Sequence, residues 1–188
     1  NAIKNHNLDI RKFVQVSSVA AAGPAKETPR RESDTPNPIT TYGHSKLCGE
    51  VAMTPFADLI PMTIIRPPAV YGPGDKATLP LFQMTRKGFK PYLGGGHNRV
   101  QMVYVDDLVA AIKLAMESDA GTGEAFFIAD EKAWSIREML DTMGRLQGKN
   151  GGGISIPKFV LQTVAMINEG SSKITRKLPM FSFEKVRE

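Results

Sequence analysis

Phe13-Val14-Gln15-Val16-Ser17-Ser18 and, beyond a loop, Thr41-Tyr42-Gly43-His44-Ser45-Lys46 decide how this chain folds. The first run is short, apolar and ended by two hydroxyl residues, so Lys12 to Ser18 reads as a short apolar strand. Gly23 to Thr40, rich in Pro, Thr and charge, reads as a loop; Tyr42 to about Met53 reads as a helix that Pro55 interrupts or restarts. Residues four apart on a helix share a face, which projects Tyr42 and Lys46 into the same space. An ammonium close to a phenol favours its deprotonated form, so such a pair can serve as a general base while a serine hydroxyl holds the reacting oxygen. A solvated helix face accounts for the same spacing.

Working outward, Met62 to Arg66 reads as a second strand, ended by Pro67-Pro68. Leu79 to Lys87 reads as a helix, Gln101 to Val105 as a strand, and Ala125 to Ala129 as another buried strand. Asp106 or Asp107 is expected to cap a helix from Leu108 to Met116. Ser135-Ile136-Arg137-Glu138 is a capping box, and Ile136, Met139, Leu140, Met143 and Leu146 then share one helix face. Gly151-Gly152-Gly153 reads as a flexible joint and Phe159 to Ile167 as a last amphipathic helix. This alternation predicts an α/β fold with a parallel sheet flanked by helices. Ligands of such sheets lie outside the carboxyl ends of the strands, where Ser17-Ser18 and Pro67-Pro68 both fall.

The chain has 188 residues, 41% of them hydrophobic, enough for a sizeable core. No apolar run approaches the roughly 20 residues of a membrane span. Its net charge of +5 is dispersed and not interleaved with aromatics, which argues against a nucleic-acid platform. Cys48 is the single cysteine, so no intrachain disulfide can form; it reads as a packing residue in a reducing compartment. A glycine turn for a dinucleotide pyrophosphate needs a strand before it and a helix after it. Gly94-Gly95-Gly96 and Gly121-Thr122-Gly123 both lead into strands instead. Gly144 to Lys149 is one residue short of a P-loop, with Asn150 where a Ser or Thr is required.

Together with Ile65-Arg66-Pro67-Pro68-Ala69-Val70-Tyr71-Gly72-Pro73-Gly74 and Val103-Tyr104-Val105-Asp106-Asp107-Leu108, these stretches resemble the extended short-chain dehydrogenase/reductase family. Its members are NAD(P)-dependent epimerases, dehydratases and hydroxysteroid-type dehydrogenases. The resemblance implies the C-terminal portion of a Rossmann-type doubly wound parallel sheet plus a small, mostly helical substrate lobe. Residues 1-72 and 101-130 would be the remainder of the NAD(P)-binding domain, and 73-100 and 131-188 the substrate-binding lobe. Asn1 to His6 resembles the end of the helix before the serine-bearing strand, so the chain reads as a piece of a longer enzyme without its first β/α units.

By the same resemblance, Tyr42 is the general acid/base and Lys46 the residue that holds the nicotinamide ribose. Ser18 hydrogen-bonds the substrate oxygen; counting back from Gly23 favours it over Ser17. Ser17, Tyr42, Lys46, Pro68, Ala69 and Val70 form the cofactor-binding set, and Pro68, lacking an N–H, leaves any backbone donor there to Ala69 or Val70. NAD and NADP remain equally open. Arg99 could bind an anionic substrate or sit on a turn surface. Nucleotide-sugar members carry an arginine where this chain has Val100, so Gly94 to Asp107 is more similar to the 3-beta-hydroxysteroid dehydrogenase branch, acting on a small hydroxyl or keto substrate. A nucleotide-sugar epimerase or dehydratase is the alternative. A non-catalytic binding or assembly module is another, because the dinucleotide loop is missing. Composition and the single cysteine point to a cytoplasmic protein, and the resemblance implies a homodimer through the helix carrying Tyr42.

Other residues have plainer readings. His44 suits an exposed helix surface, and Asp106-Asp107, without a third ligand, suits a helix start rather than a metal. Arg66 stands at a strand end, where a guanidinium can tie loops together. Met139 and Met143 fit core packing and Trp134 a hydrophobic staple.

Overall fold

The computed structural model describes residues 10–25 and 28–157. Asn1 to His6 and the helix expected over Phe159 to Ile167 lie outside the described residues. In chain order the elements are β1 (Phe13–Val16), α1 (Val19–Ala22), α2 (Thr41–Met53), β2 (Met62–Arg66), β3 (Ala69–Tyr71), α3 (Leu79–Arg86), β4 (Pro91–Leu93), β5 (Arg99–Val100), β6 (Met102–Tyr104), α4 (Val105–Glu117), β7 (Ala125–Phe127), β8 (Trp134–Ser135), α5 (Ile136–Leu146) and β9 (Ile154–Ile156). They divide between two compact units: the chain up to Pro73 with Gln101–Glu131, and Gly74–Val100 with the chain from Lys132 onward.

The first unit is built on β2. Its Met-Thr-Ile-Ile-Arg sequence is buried at all but one position, as a strand covered on both faces requires. β1 and β7 pair with it on either side, both parallel. Ile65, Val103 and Leu108 form the core, with Val14, Val70, Ile112, Ala115 and Ile128 packed against them. β3 runs parallel to β6 in a separate two-stranded ladder. β7 differs from the buried strand expected: it is an edge strand of three residues, and Phe126 is exposed. Neither aspartate caps α4. The helix begins at Val105, directly after β6, with Tyr104 as an N-cap that makes no side-chain bond. Asp106 and Asp107 fall in its first turn, where the positive end of the helix dipole favours carboxylates.

In α2 the Thr40 side chain accepts from the Gly43 N–H at 3.0 Å, and Pro55 opens a 3-10 turn, Thr54–Phe56, at the other end. Gly43 is there because α1 comes too close for anything larger: a Cβ would stand 2.4 Å from the Ala20 carbonyl oxygen. Further along, Glu50 is buried and grips two strand ends. Arg66, the last residue of β2, donates to it through Nε at 3.1 Å and Nη2 at 2.6 Å. Ser17, just after β1, donates its hydroxyl to Glu50 Oε1. Cys48 is exposed on the same helix rather than packed inside.

The second unit contains α3, α5 and two short ladders, parallel β4–β9 and antiparallel β5–β8. Ser135 and Glu138 make both bonds of the capping box, and Met139, Leu140 and Met143 are buried. The segment expected to be a free glycine joint is tied down. Buried Lys90 donates to the Gly151 carbonyl at 2.5 Å and to Asp141 at 3.3 Å, while the Gly153 N–H donates to the Tyr92 hydroxyl at 2.8 Å. Tyr92 in turn donates to Asp141 at 2.6 Å; burial, then that carboxylate, raises its phenol above the ordinary value.

Glu50→Ala strands a buried guanidinium, for which a loss of about 3–5 kcal/mol in unfolding free energy is expected by urea titration. A loss below about 1 kcal/mol would mean that the pair does not hold α2 in place. Ser135→Ala removes one half of the capping box and should cost about 1 kcal/mol in the same measurement.

Candidate active site

The residues of interest in the first unit gather at the carboxyl ends of β1 and β2. Ser18 follows β1 in extended conformation and caps α1, its Oγ accepting from the Ala20 N–H at 3.2 Å. A hydroxyl has one proton and two lone pairs, so this cap leaves its proton to donate elsewhere. The next residue, Val19, donates its N–H to the Pro67 carbonyl at 3.0 Å. That bond joins the two strand ends and brings Ser18 beside Pro67-Pro68. The close approach of Gly43 to Ala20 brings the first turn of α2 to the same place.

Tyr42 lies in that turn and is 56% exposed, open to an incoming molecule. Lys46 stands one turn further along, and its ammonium donates to the Val16 carbonyl at 2.8 Å. One of its three protons is thereby used and two remain. Tyr42 and Lys46 thus share a helix that Glu50 fixes one further turn along. His44 is exposed, and its N–H belongs to the helix start.

Ser17 is separate from this surface. It is 4% exposed, its hydroxyl is committed to Glu50 and its N–H to the Ile65 carbonyl. Ala69 is exposed at the start of β3, whereas the Val70 side chain packs into the core. Arg99 belongs to the second unit, on β5, where its guanidinium reaches the Ala133 carbonyl at 3.4 Å. Sequence reasoning did not single out Glu50 as the anchor. The available signal was its spacing: four residues after Lys46, on the helix face that carries Tyr42.

Chemically, the arrangement offers an exposed phenol, an ammonium with spare donors and a serine proton. These donors are of the kind that the polar nicotinamide end of a dinucleotide would accept. They do not suit the pyrophosphate end, since no glycine turn joins a strand to a helix in the sequence. Among the described residues no group of three or more His, Cys, Asp or Glu could hold a metal ion. No helix among them is long and apolar enough to cross a membrane.

The chain has similar sequences and similar folds among known proteins. An uncharacterized protein, y4nG, of Sinorhizobium fredii is 40% identical over 138 residues, covering 71% of this chain and 34% of its own length. A ceramide reductase of Caulobacter vibrioides is 30% identical over 180 residues, covering 94% of this chain and 51% of the relative. The chain therefore spans about half, or less, of these relatives. The crystal structure of a UDP-glucuronic acid 4-epimerase from Bacillus cereus in complex with NAD superposes with a TM-score of 0.69 at 25% identity, covering 84% of this chain and 53% of that one. These likenesses identify the architecture as Rossmann-type. Residues 1–129 match the model of the NAD dependent epimerase/dehydratase family, and the chain belongs to that family.

Proposed function

We propose that this chain is the catalytic half of an NAD(P)-dependent oxidoreductase or epimerase acting on a hydroxyl or keto group. The observation that supports this most is the bond from Val19 to Pro67, which joins the two strand ends beneath the turn carrying Tyr42. In this reading Tyr42 exchanges a proton with the substrate oxygen, and Ser18 donates its free proton to the same oxygen. Lys46 keeps one bond to Val16 and turns its remaining donors to the ribose and the phenol. Ala69 or Val70 supplies the backbone contact to the carboxamide. Ser17 contributes through its backbone carbonyl, since its hydroxyl is held by Glu50. When bound, the nicotinamide would supply or accept the hydride.

The unit around β2 then holds the cofactor, and the unit containing Arg99 binds substrate. A substrate like that of the 3-beta-hydroxysteroid dehydrogenase branch, a hydroxyl or ketone on an apolar body, is favoured by the match to a ceramide reductase over 94% of the chain. The missing arginine at Val100 points the same way. Likeness to a UDP-glucuronic acid 4-epimerase favours the nucleotide-sugar alternative, with Arg99 near the diphosphate. The exposed thiol of Cys48 suits the reducing cytoplasm, and α2 is the proposed dimer surface.

In the full-length polypeptide that carries this sequence, Tyr42→Phe is expected to lower turnover about 10²–10⁴-fold, the usual worth of a positioned proton donor. Unchanged turnover would remove Tyr42 from the mechanism. Calorimetry should find NAD or NADP bound tightly by the full-length protein and weakly by the 188-residue chain. Equal affinity in the two would contradict the assignment of the pyrophosphate cradle to another part of the polypeptide.

A further inference from the structure

α3 is apolar on two opposite sides, and only one of them serves the core of its unit. Thr85 is fully buried and Leu81 and Met84 half-buried where the helix packs on α5. Leu79, Phe82, Gln83 and Arg86, spaced i, i+3, i+4 and i+7, lie on the other side. There Leu79 is 48% exposed and Phe82 38%. Single apolar side chains on a surface need no explanation, but these have neighbours. Beyond Gly88 the chain continues into exposed Phe89, whose N–H donates back to the Met84 carbonyl at 3.0 Å. The carbonyl of the next residue, Lys90, accepts at 2.9 Å from the N–H of Ile154, which is itself exposed. Gln147, just past α5, donates its side-chain amide to Thr85 Oγ1 at 2.8 Å and so brings exposed Leu146 toward the same end of α3. Hydrogen bonds thus gather further exposed apolar residues about a helix whose outer side is already apolar.

The charges around them have one sign. Lys76, Arg86, Lys87, Arg145 and Lys149 are exposed, and none forms an ion pair with a described residue. No Asp or Glu stands between Lys76 and Val105, or between Thr142 and Pro157. The acids that border these stretches are engaged. Asp75 accepts from the Ala77 and Thr78 N–H groups at 2.7 and 3.2 Å, and Asp141 accepts from Lys90 and Tyr92. Apolar side chains flanked by cations, with no free anion among them, match a surface that presents phosphate oxygens above hydrocarbon.

We propose that the outer side of α3, with the residues gathered at its end, is a surface on which the protein docks to membranes containing anionic lipid. Leu79, Phe82 and Phe89 enter the boundary between headgroups and acyl chains, and Arg86 and Lys87 pair with lipid phosphates. The contact is peripheral, since no helix among the described residues is long and apolar enough to cross the bilayer. The inference goes beyond the reaction proposed above and does not depend on it.

Co-sedimentation tests this. The protein and its variants are spun down with vesicles of phosphatidylglycerol and phosphatidylcholine in equal parts, and with vesicles of phosphatidylcholine alone. Wild type should pellet with the anionic vesicles and stay in solution with the neutral ones, and added salt should release it. Arg86→Gln and Lys87→Gln should each weaken binding about fivefold, and Phe82→Ser about tenfold. Lys113→Gln removes an exposed cation from α4 in the first unit and should leave binding at the wild-type value. A wild type that stays in solution with both kinds of vesicle would overturn the inference. So would equal weakening by Lys113→Gln, which would assign the binding to net charge rather than to this surface. If Phe82→Ser instead turned a dimer into a monomer in sedimentation velocity and left vesicle binding unchanged, the face would belong to a second copy of the chain and the inference would fall.

Discussion

Glu50 is a carboxylate taken almost wholly out of water, 5% exposed, and everything near the proposed site is arranged by what it must hold in return. Burying a charge costs several kcal/mol unless geometry and hydrogen bonds repay it. Here Arg66 approaches through two nitrogens and Ser17 through its hydroxyl, so one residue of α2 joins the ends of β1 and β2. Arg66 Nη1 is also buried and has no hydrogen-bond partner, which leaves Glu50 as the charge partner that guanidinium depends on. Sliding α2 by one residue would turn the carboxylate away from both strands. The rotation and height of the helix are therefore fixed, and with them the places of Lys46 and Tyr42 one and two turns earlier.

The same burial explains what was readable in the sequence. Met62–Arg66 agrees residue for residue with its expected span, because Met62, Ile64 and Ile65 make a short apolar run and Pro67-Pro68 ends it. The Tyr42 helix is bounded by a threonine cap and a proline, both local signals. Ser135 and Glu138 declare the start of α5 for the same reason. Strands such as Arg99–Val100 and Trp134–Ser135 leave no period to detect, since two residues become a strand only by meeting their partners. Buried charges were equally hidden. Glu50 and Lys90 look like ordinary surface residues until Arg66 in one case, and Asp141 and Gly151 in the other, are seen to enclose them.

Roles within the candidate site divide along the same line. Spacing alone brought Tyr42 and Lys46 onto one face, and the end of an apolar run exposed Ser17-Ser18. It could not tell the two serines apart physically. The structure does: Ser17 turns inward to Glu50, and Ser18 caps α1 with a proton to spare. Nor could spacing show that Val19 and Pro67 are bonded, the contact that turns two separate strand ends into one surface.

A family assignment together with a chain spanning about half of its relatives makes the nicotinamide end the decisive place to look. The most direct measurement is a crystal structure of the protein with NAD and a substrate analogue bound. The account predicts the nicotinamide against the backbone of Pro68 to Val70, Lys46 at its ribose, and the Tyr42 hydroxyl about 3 Å from the reacting oxygen, with Ser18 donating to the same atom. A nicotinamide bound elsewhere, or a Tyr42 hydroxyl turned away from that oxygen, would contradict it.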